Sequence, residues 1–146
     1  MGYTSLDALA KRLKSQSLAA LAHDGAGEPD ITNENTIAVI NQAIDDATDT
    51  INSYLYGHID MTDATNTAAV EYRAAIIALY VLYQRRYMAH ASNPMAKAYD
   101  DTVDWLKAMA RGKLHTQGDP QHPDGQFYST TEDSDKKFTD DALTRF

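Results

Sequence analysis

Cysteine is absent from this chain. That excludes a disulfide-stapled scaffold, a thiol nucleophile and any zinc site built on thiolates. Glutamate is scarce, confined to Glu28, Glu34, Glu71 and Glu132, and none begins a Glu-x-x-His pair. The carboxylate-bridged di-iron site common in helical bundles is therefore excluded. Positive charge is short as well: 13 Lys and Arg face 21 Asp and Glu, for a net charge of -8. A general nucleic-acid binder needs clustered cations against phosphate, so that class is not expected. The longest apolar run, Ala74 to Tyr83, falls well short of the ~20 residues that cross a bilayer. No membrane association is expected, and the opening residues Met1 to Thr4 lead into an amphipathic pattern with no signal-peptide character. Gly-x-Ser-x-Gly, phosphate-cradling glycine loops and dinucleotide fingerprints are all missing.

What remains is an apolar fraction of 43% in 146 residues, enough for one domain core. Over residues 1–112 its spacing is helical, apart from an irregular connector at 57–66. Thr4-Ser5-Leu6-Asp7 has the form of a capping box, and Leu6, Leu9, Ala10 and Leu13 follow at intervals of three and four. Leu18, Ala19, Leu21 and Ala22 either extend that helix or make a short second one, before the loop residues 23–29. Thr32 or Asn33 caps the next helix, whose buried face is Ile37, Ile40, Ile44, Ala47, Ile51 and Leu55. Asp45, Asp46 and Asp49 fall off that stripe, and Gly57 sits where a left-handed cap ends a helix.

A third helix is predicted from about Thr67 to Met88. It carries one stripe of Val70, Ala74, Ile77 and Val81 and another of Tyr72, Ile76, Tyr80, Tyr83 and Tyr87. A helix so apolar around its circumference is surrounded by protein, either its own bundle or a neighbouring subunit. Tyrosines suit a partly wet seam, where the ring packs and the hydroxyl finds a partner. Arg73, Arg85 and Arg86 bracket the apolar run. Either they pair with Asp45, Asp46 or Asp49 at the bundle edge, or they meet an acidic neighbour across a subunit boundary. The fourth helix is predicted to open with Asn93 as cap and Pro94 at the first position, and to end at Gly112. The fold class is all-α: a compact bundle of about four helices over 1–112, followed by a long extended C-terminal tail over 113–146.

That tail is rich in turn residues and polar side chains, punctuated by Phe127, Tyr128, Phe138, Leu143 and Phe146. The ordering cost of such a segment exceeds what a few spaced apolar side chains return, so a neighbouring chain is expected to hold it. His115, Asp119 and His122 lie close in sequence, but in a Gly/Pro-rich setting with no rigid geometry for a metal. His58 and His90 read as helix-end residues beside exposed carbonyls. No catalytic residues, cofactor or metal are expected, and the chain does not read as an enzyme.

Four stretches together resemble the Mu-type head–tail connector family of phages. Residues 1–9 are similar to its opening Tyr-x-Thr-x-x-Asp-Leu region, and Ala43 to Gly57 to its Ala-Ile-x-x-Ala-x-x-x-Ile-x-x-Tyr-Leu-x-Gly helix. Tyr99 to Lys113, with Trp105-Leu106, resembles its Trp-Leu segment, and Lys137 to Phe146 its Phe-Ser/Thr-x-Asp-x-Leu-x-x-Phe ending. After Gly57 the family has Arg-Tyr and Leu-Pro steps where this chain has His58-Ile59-Asp60-Met61. The resemblance implies a virion structural protein made in the host bacterial cytoplasm and located at the head–tail neck. Its implied partners are copies of itself in a twelvefold ring, the portal protein, and a downstream neck or tail-completion protein. DNA passes through the lumen without sequence-specific binding. Under this reading Phe127, Tyr128, Phe138, Leu143 and Phe146 dock the tail. Tyr72, Tyr80, Tyr83 and Tyr87, with Arg73, Arg85 and Arg86, line the subunit seam. The competing reading is a small acidic helical module that binds another protein, as a phage regulator or assembly factor.

Overall fold

The computed structural model describes residues 2–59, 64–87 and 89–112, and every regular element among them is helical. These are α1 (Leu6–Arg12), α2 (Ser15–Ala22), α3 (Glu34–Leu55), α4 (Ala64–Tyr87) and α5 (Ala96–Ala110), with a 3₁₀ turn at His90–Ser92. The all-α bundle expected from the sequence is what forms. The tail over 113–146, with its five candidate docking residues and the His115/Asp119/His122 group, lies outside the described residues.

The chain opens pinned to α3. The Tyr3 backbone N–H donates to Thr48 Oγ1 at 3.2 Å, and the Tyr3 hydroxyl donates to Asn52 Oδ1 at 2.5 Å. These bonds draw Thr4 inward until it is buried, so the capping role passes to Ser5. Ser5 Oγ accepts from the Ala8 N–H at 3.2 Å. The cap is thus displaced by one residue, and the expected box does not form, because Ala8 at the third helical position has no polar side chain to return a bond. The chain then turns extended at Leu13 and Lys14, which separates α1 from α2. The five-residue step from Leu13 to Leu18 breaks the helical rhythm, and a bend there returns Leu18 to the core, fully buried.

Asn33 caps α3, its side-chain oxygen accepting from the N–H groups of Asn35 and Thr36. Thr32 is held one residue earlier by the Asp30 carboxylate. The α3 stripe follows its spacing from the second turn on: Ile40, Ile44, Ala47, Ile51 and Leu55 are buried, Ile37 in the first turn is only half-buried, and Asp45, Asp46 and Asp49 are exposed. Gly57 closes the helix with φ of 77°, a backbone angle that any residue with a Cβ adopts only under strain.

Helices α3 and α4 form the central pair; α5 and α2 each pack on both, and α1 lies against α2 and α4. Every residue from Ala74 to Leu79 is buried, which is more than one full helical turn. The middle of α4 is therefore surrounded by its own bundle. Ala74, Ala75 and Ala78 are the small residues that let neighbouring backbones close in on that turn. Ile40, Ile51, Ile77, Leu82 and Leu106 fill the space between, each contributing about 1.5–3 kcal/mol by leaving water.

Helix α5 starts at Ala96, not at Pro94. Asn93 is buried and acts earlier, in a turn. Its Oδ1 accepts from the Met95 N–H at 2.9 Å and its backbone carbonyl from the Ala96 N–H at 3.0 Å. No helix among the described residues is long and apolar enough to cross a membrane.

Candidate assembly surface

The tyrosines and arginines of α4 share a helix, but the fold gives them different tasks. Tyr72, near its start, is 45% exposed. The Arg12 guanidinium lies 4.8 Å above its ring and the Arg73 guanidinium 5.3 Å from it. Arg73 is also 5.2 Å from the Trp105 ring, and its Nη1 donates to Thr102 Oγ1 at 3.5 Å. Side chains from α1, α4 and α5 thus form one continuous cation–aromatic face. Each such stack contributes about 0.5–1 kcal/mol where exposed.

Tyr80 is used inside the fold. Its ring stacks on Tyr99, and its hydroxyl lies 2.9 Å from His90 Nδ1. His90 Nε2 lies 3.0 Å from Asp100 Oδ2. Asp100, His90 and Tyr80 form a chain whose two bonds tie α4, the 3₁₀ turn and α5 together. A neutral ring donates to Asp100 and accepts from Tyr80, and a protonated ring donates to both. The arrangement is a clasp. Burial raises the Tyr99 phenol above the ordinary tyrosine range, with Tyr80, Tyr54 and Asp100 adding to the effect.

Tyr83 and Tyr87 stand at the far end of α4, rings 5.9 Å apart, Tyr83 half-buried and Tyr87 45% exposed. Beside them, Arg85 pairs with Asp24 and donates to the Ala22 carbonyl at 3.3 Å. Arg86 donates to the Ala20 carbonyl at 2.9 Å and to that of His23. These carbonyls end α2, where cations complement the helix dipole. The bundle-edge pairing expected with Asp45, Asp46 or Asp49 does not occur. Those carboxylates lie off the stripe that α3 packs inward, so they face away from α4.

Sequence reasoning did not single out Arg12, or the His90–Asp100 link, which joins residues across an irregular turn that no helical period predicts. It also passed over Tyr56, 87% exposed beside Gly57. Its position one step off the buried stripe was the available signal. Among the described residues no group of three His, Asp or Glu side chains is placed to hold a metal ion.

Among the described residues, these features define an all-helical bundle protein with exposed aromatics along α4. Residues 3–127 match the family described as Bacteriophage Mu, Gp36, and the chain belongs to that family. It is also similar to the Mu-like prophage FluMu protein gp36 of Haemophilus influenzae, 32% identical over 77 residues. The alignment covers 53% of this chain and 52% of that protein, so the chain spans about half the length of the relative.

Proposed function

We propose that this protein is a head–tail connector, an adaptor that assembles as a ring beneath the portal and carries the DNA channel towards the tail. The observation that carries this reading is the exposed aromatic and arginine surface at the ends of α4. Tyr72 and Tyr87 remain 45% exposed on either side of the fully buried turn Ala74 to Leu79. Aromatic and arginine side chains are enriched in interfaces and dominate their energetics. Membership of a Mu-phage family supports a role in the particle. The net charge of -8 supports a channel wall, because a negative lumen repels phosphate and lets DNA slide.

In this reading the bundle makes the ring wall, with Tyr72, Tyr83 and Tyr87 at the seam. The tail clamps a neighbouring subunit or the portal through Phe127, Tyr128, Phe138, Leu143 and Phe146. The downstream partner is a neck or tail-completion protein, and no reaction is catalysed. Labelling intact particles with an antibody to this chain, followed by electron microscopy, tests the proposal. Signal at a single vertex at the base of the head is the expected result. Unlabelled particles, with the protein free in the lysate, would overturn it in favour of a regulator or assembly factor.

A further inference from the structure

Two sets of charges on this chain meet no opposite charge among the described residues. Arg12 and Arg73 touch aromatic rings, and neither meets a carboxylate among the described residues. The ion pairs that do form lie elsewhere, at Arg85–Asp24, His90–Asp100, Lys97–Asp101 and Lys107–Asp104. Conversely, Asp45, Asp46 and Asp49 are exposed on one edge of α3 and meet no cation among the described residues. The two sets cannot satisfy each other in one molecule. The arginine face spans α1, α4 and α5, while the α3 edge points away from α4 and α5, against which that helix packs.

We propose that the Arg12/Tyr72/Arg73 face of one copy is the docking site for the Asp45/Asp46/Asp49 edge of α3 in the next copy. This rests on the reading of the chain as a self-assembling subunit and names the surfaces that meet. A guanidinium stacked on a ring is already ordered, so it receives a carboxylate at reduced entropic cost; exposed Arg12 offers its N–H edge, while Arg73 has one N–H engaged by Thr102. Because the two surfaces differ, the contact is head-to-tail, which propagates from copy to copy and closes into a ring when the rotation allows. Copies carrying a charge of -8 repel one another in general. A local positive face opposite an acidic edge fixes which approach is productive.

The absence of cysteine makes the test direct. Asn41 lies one turn before Asp45 and Ala68 one turn before Tyr72, both exposed. Full-length chains carrying N41C and A68C separately are mixed and treated with a short bis-maleimide. Crosslinked 41–68 dimers are expected, and a ladder when one chain carries both cysteines. Placing R12E/R73E on the A68C chain, or D45K/D46K/D49K on the N41C chain, should each reduce the 41–68 product by about tenfold. Mixing the two reversed chains should restore it, and molar salt should suppress the native product. R12E alone, at an exposed residue, reads the same effect where R73E disturbs folding. Failure to form the 41–68 product while both thiols react fully with a monomaleimide would overturn the proposal. So would charge reversals without effect, or a dominant 68–68 product, which indicates a two-fold contact. The readout concerns purified copies, so a positive crosslink with unlabelled particles would leave the interface standing and remove the connector reading alone.

Discussion

The Tyr80 ring lies almost flat against that of Tyr99, with centroids 4.0 Å apart and planes 17° from parallel. This stack joins α4 to α5 and keeps the Tyr99 phenol from water, which disfavours its charged form. A raised folded-state pKa means that the native state holds this proton more tightly than the unfolded chain. The associated stability is fully present below the unfolded value of about 10 and is lost as pH rises through the folded value. Ultraviolet titration should show a phenol ionising above the ordinary tyrosine range, and that component should vanish in Y99F. The variant should also lose less stability on alkalinisation. A Y99F variant whose titration curve matches that of the parent at its alkaline end would contradict this.

Asn93 stands at the same corner and holds it by three bonds. Its amide donates to the Tyr80 carbonyl at 3.1 Å and to Gln84 Oε1 at 3.2 Å, while its Oδ1 receives the Met95 N–H. The residue is 4% exposed, so water does not readily replace these bonds. N93A should lower unfolding free energy by roughly 1–3 kcal/mol, the cost of unpaired buried polar groups. Urea denaturation measures it, and a loss within experimental error would show that the turn forms without the side chain.

The helices were legible in the sequence because each buries one face, and burial writes a period into the chain. The Ile40, Ile44, Ala47, Ile51 stripe of α3 needed nothing else. The ends of elements were less legible, since caps depend on neighbours far along the chain. Ser5 displaced Thr4 because Tyr3 is bonded to Thr48 and Asn52 of α3, and Asn93 displaced its own helix start because Tyr80 and Gln84 claim its amide. The tyrosine stripe of α4 was visible as a stripe, yet its spacing could not reveal that Tyr80 is committed to Tyr99 and His90 while Tyr72 faces outward. Partners for the arginines were illegible for the same reason: Asp24 and the α2 carbonyls meet α4 only once the bundle closes.

Gly2 reports on that long-range closure. A Cβ at this position would fall 2.6 Å from Ile44 Cγ2 and 3.2 Å from Thr48 Oγ1. Ile44 is buried and Thr48 carries the bond from Tyr3, so neither yields freely. G2A should cost about 1–3 kcal/mol, as overpacking does in a filled site. The shift should appear in thermal unfolding, with G27A as the comparison: Gly27 meets nothing within 4 Å but has φ of 125°, so its cost comes from backbone strain alone. An unaltered G2A melting curve would mean that the N-terminal strap is not seated on α3.

The proposed division of labour between bundle and tail leads to a sharper test. The buried cluster runs from Leu9 to Met109 and draws on all five α-helices. A chain lacking 114–146 retains every residue of this cluster, and with it the apolar area these helices bury. Deletion of 114–146 should leave the helical circular dichroism and cooperative melting in place. The same deletion should abolish joining to the assembly, because it removes Phe127, Phe138, Leu143 and Phe146, the aromatic and aliphatic anchors available for docking. Copy number in purified particles reads the second effect. A truncate unfolded by circular dichroism would make the tail part of the fold, and a folded truncate that still joins particles would leave all recruitment to the surfaces of the bundle.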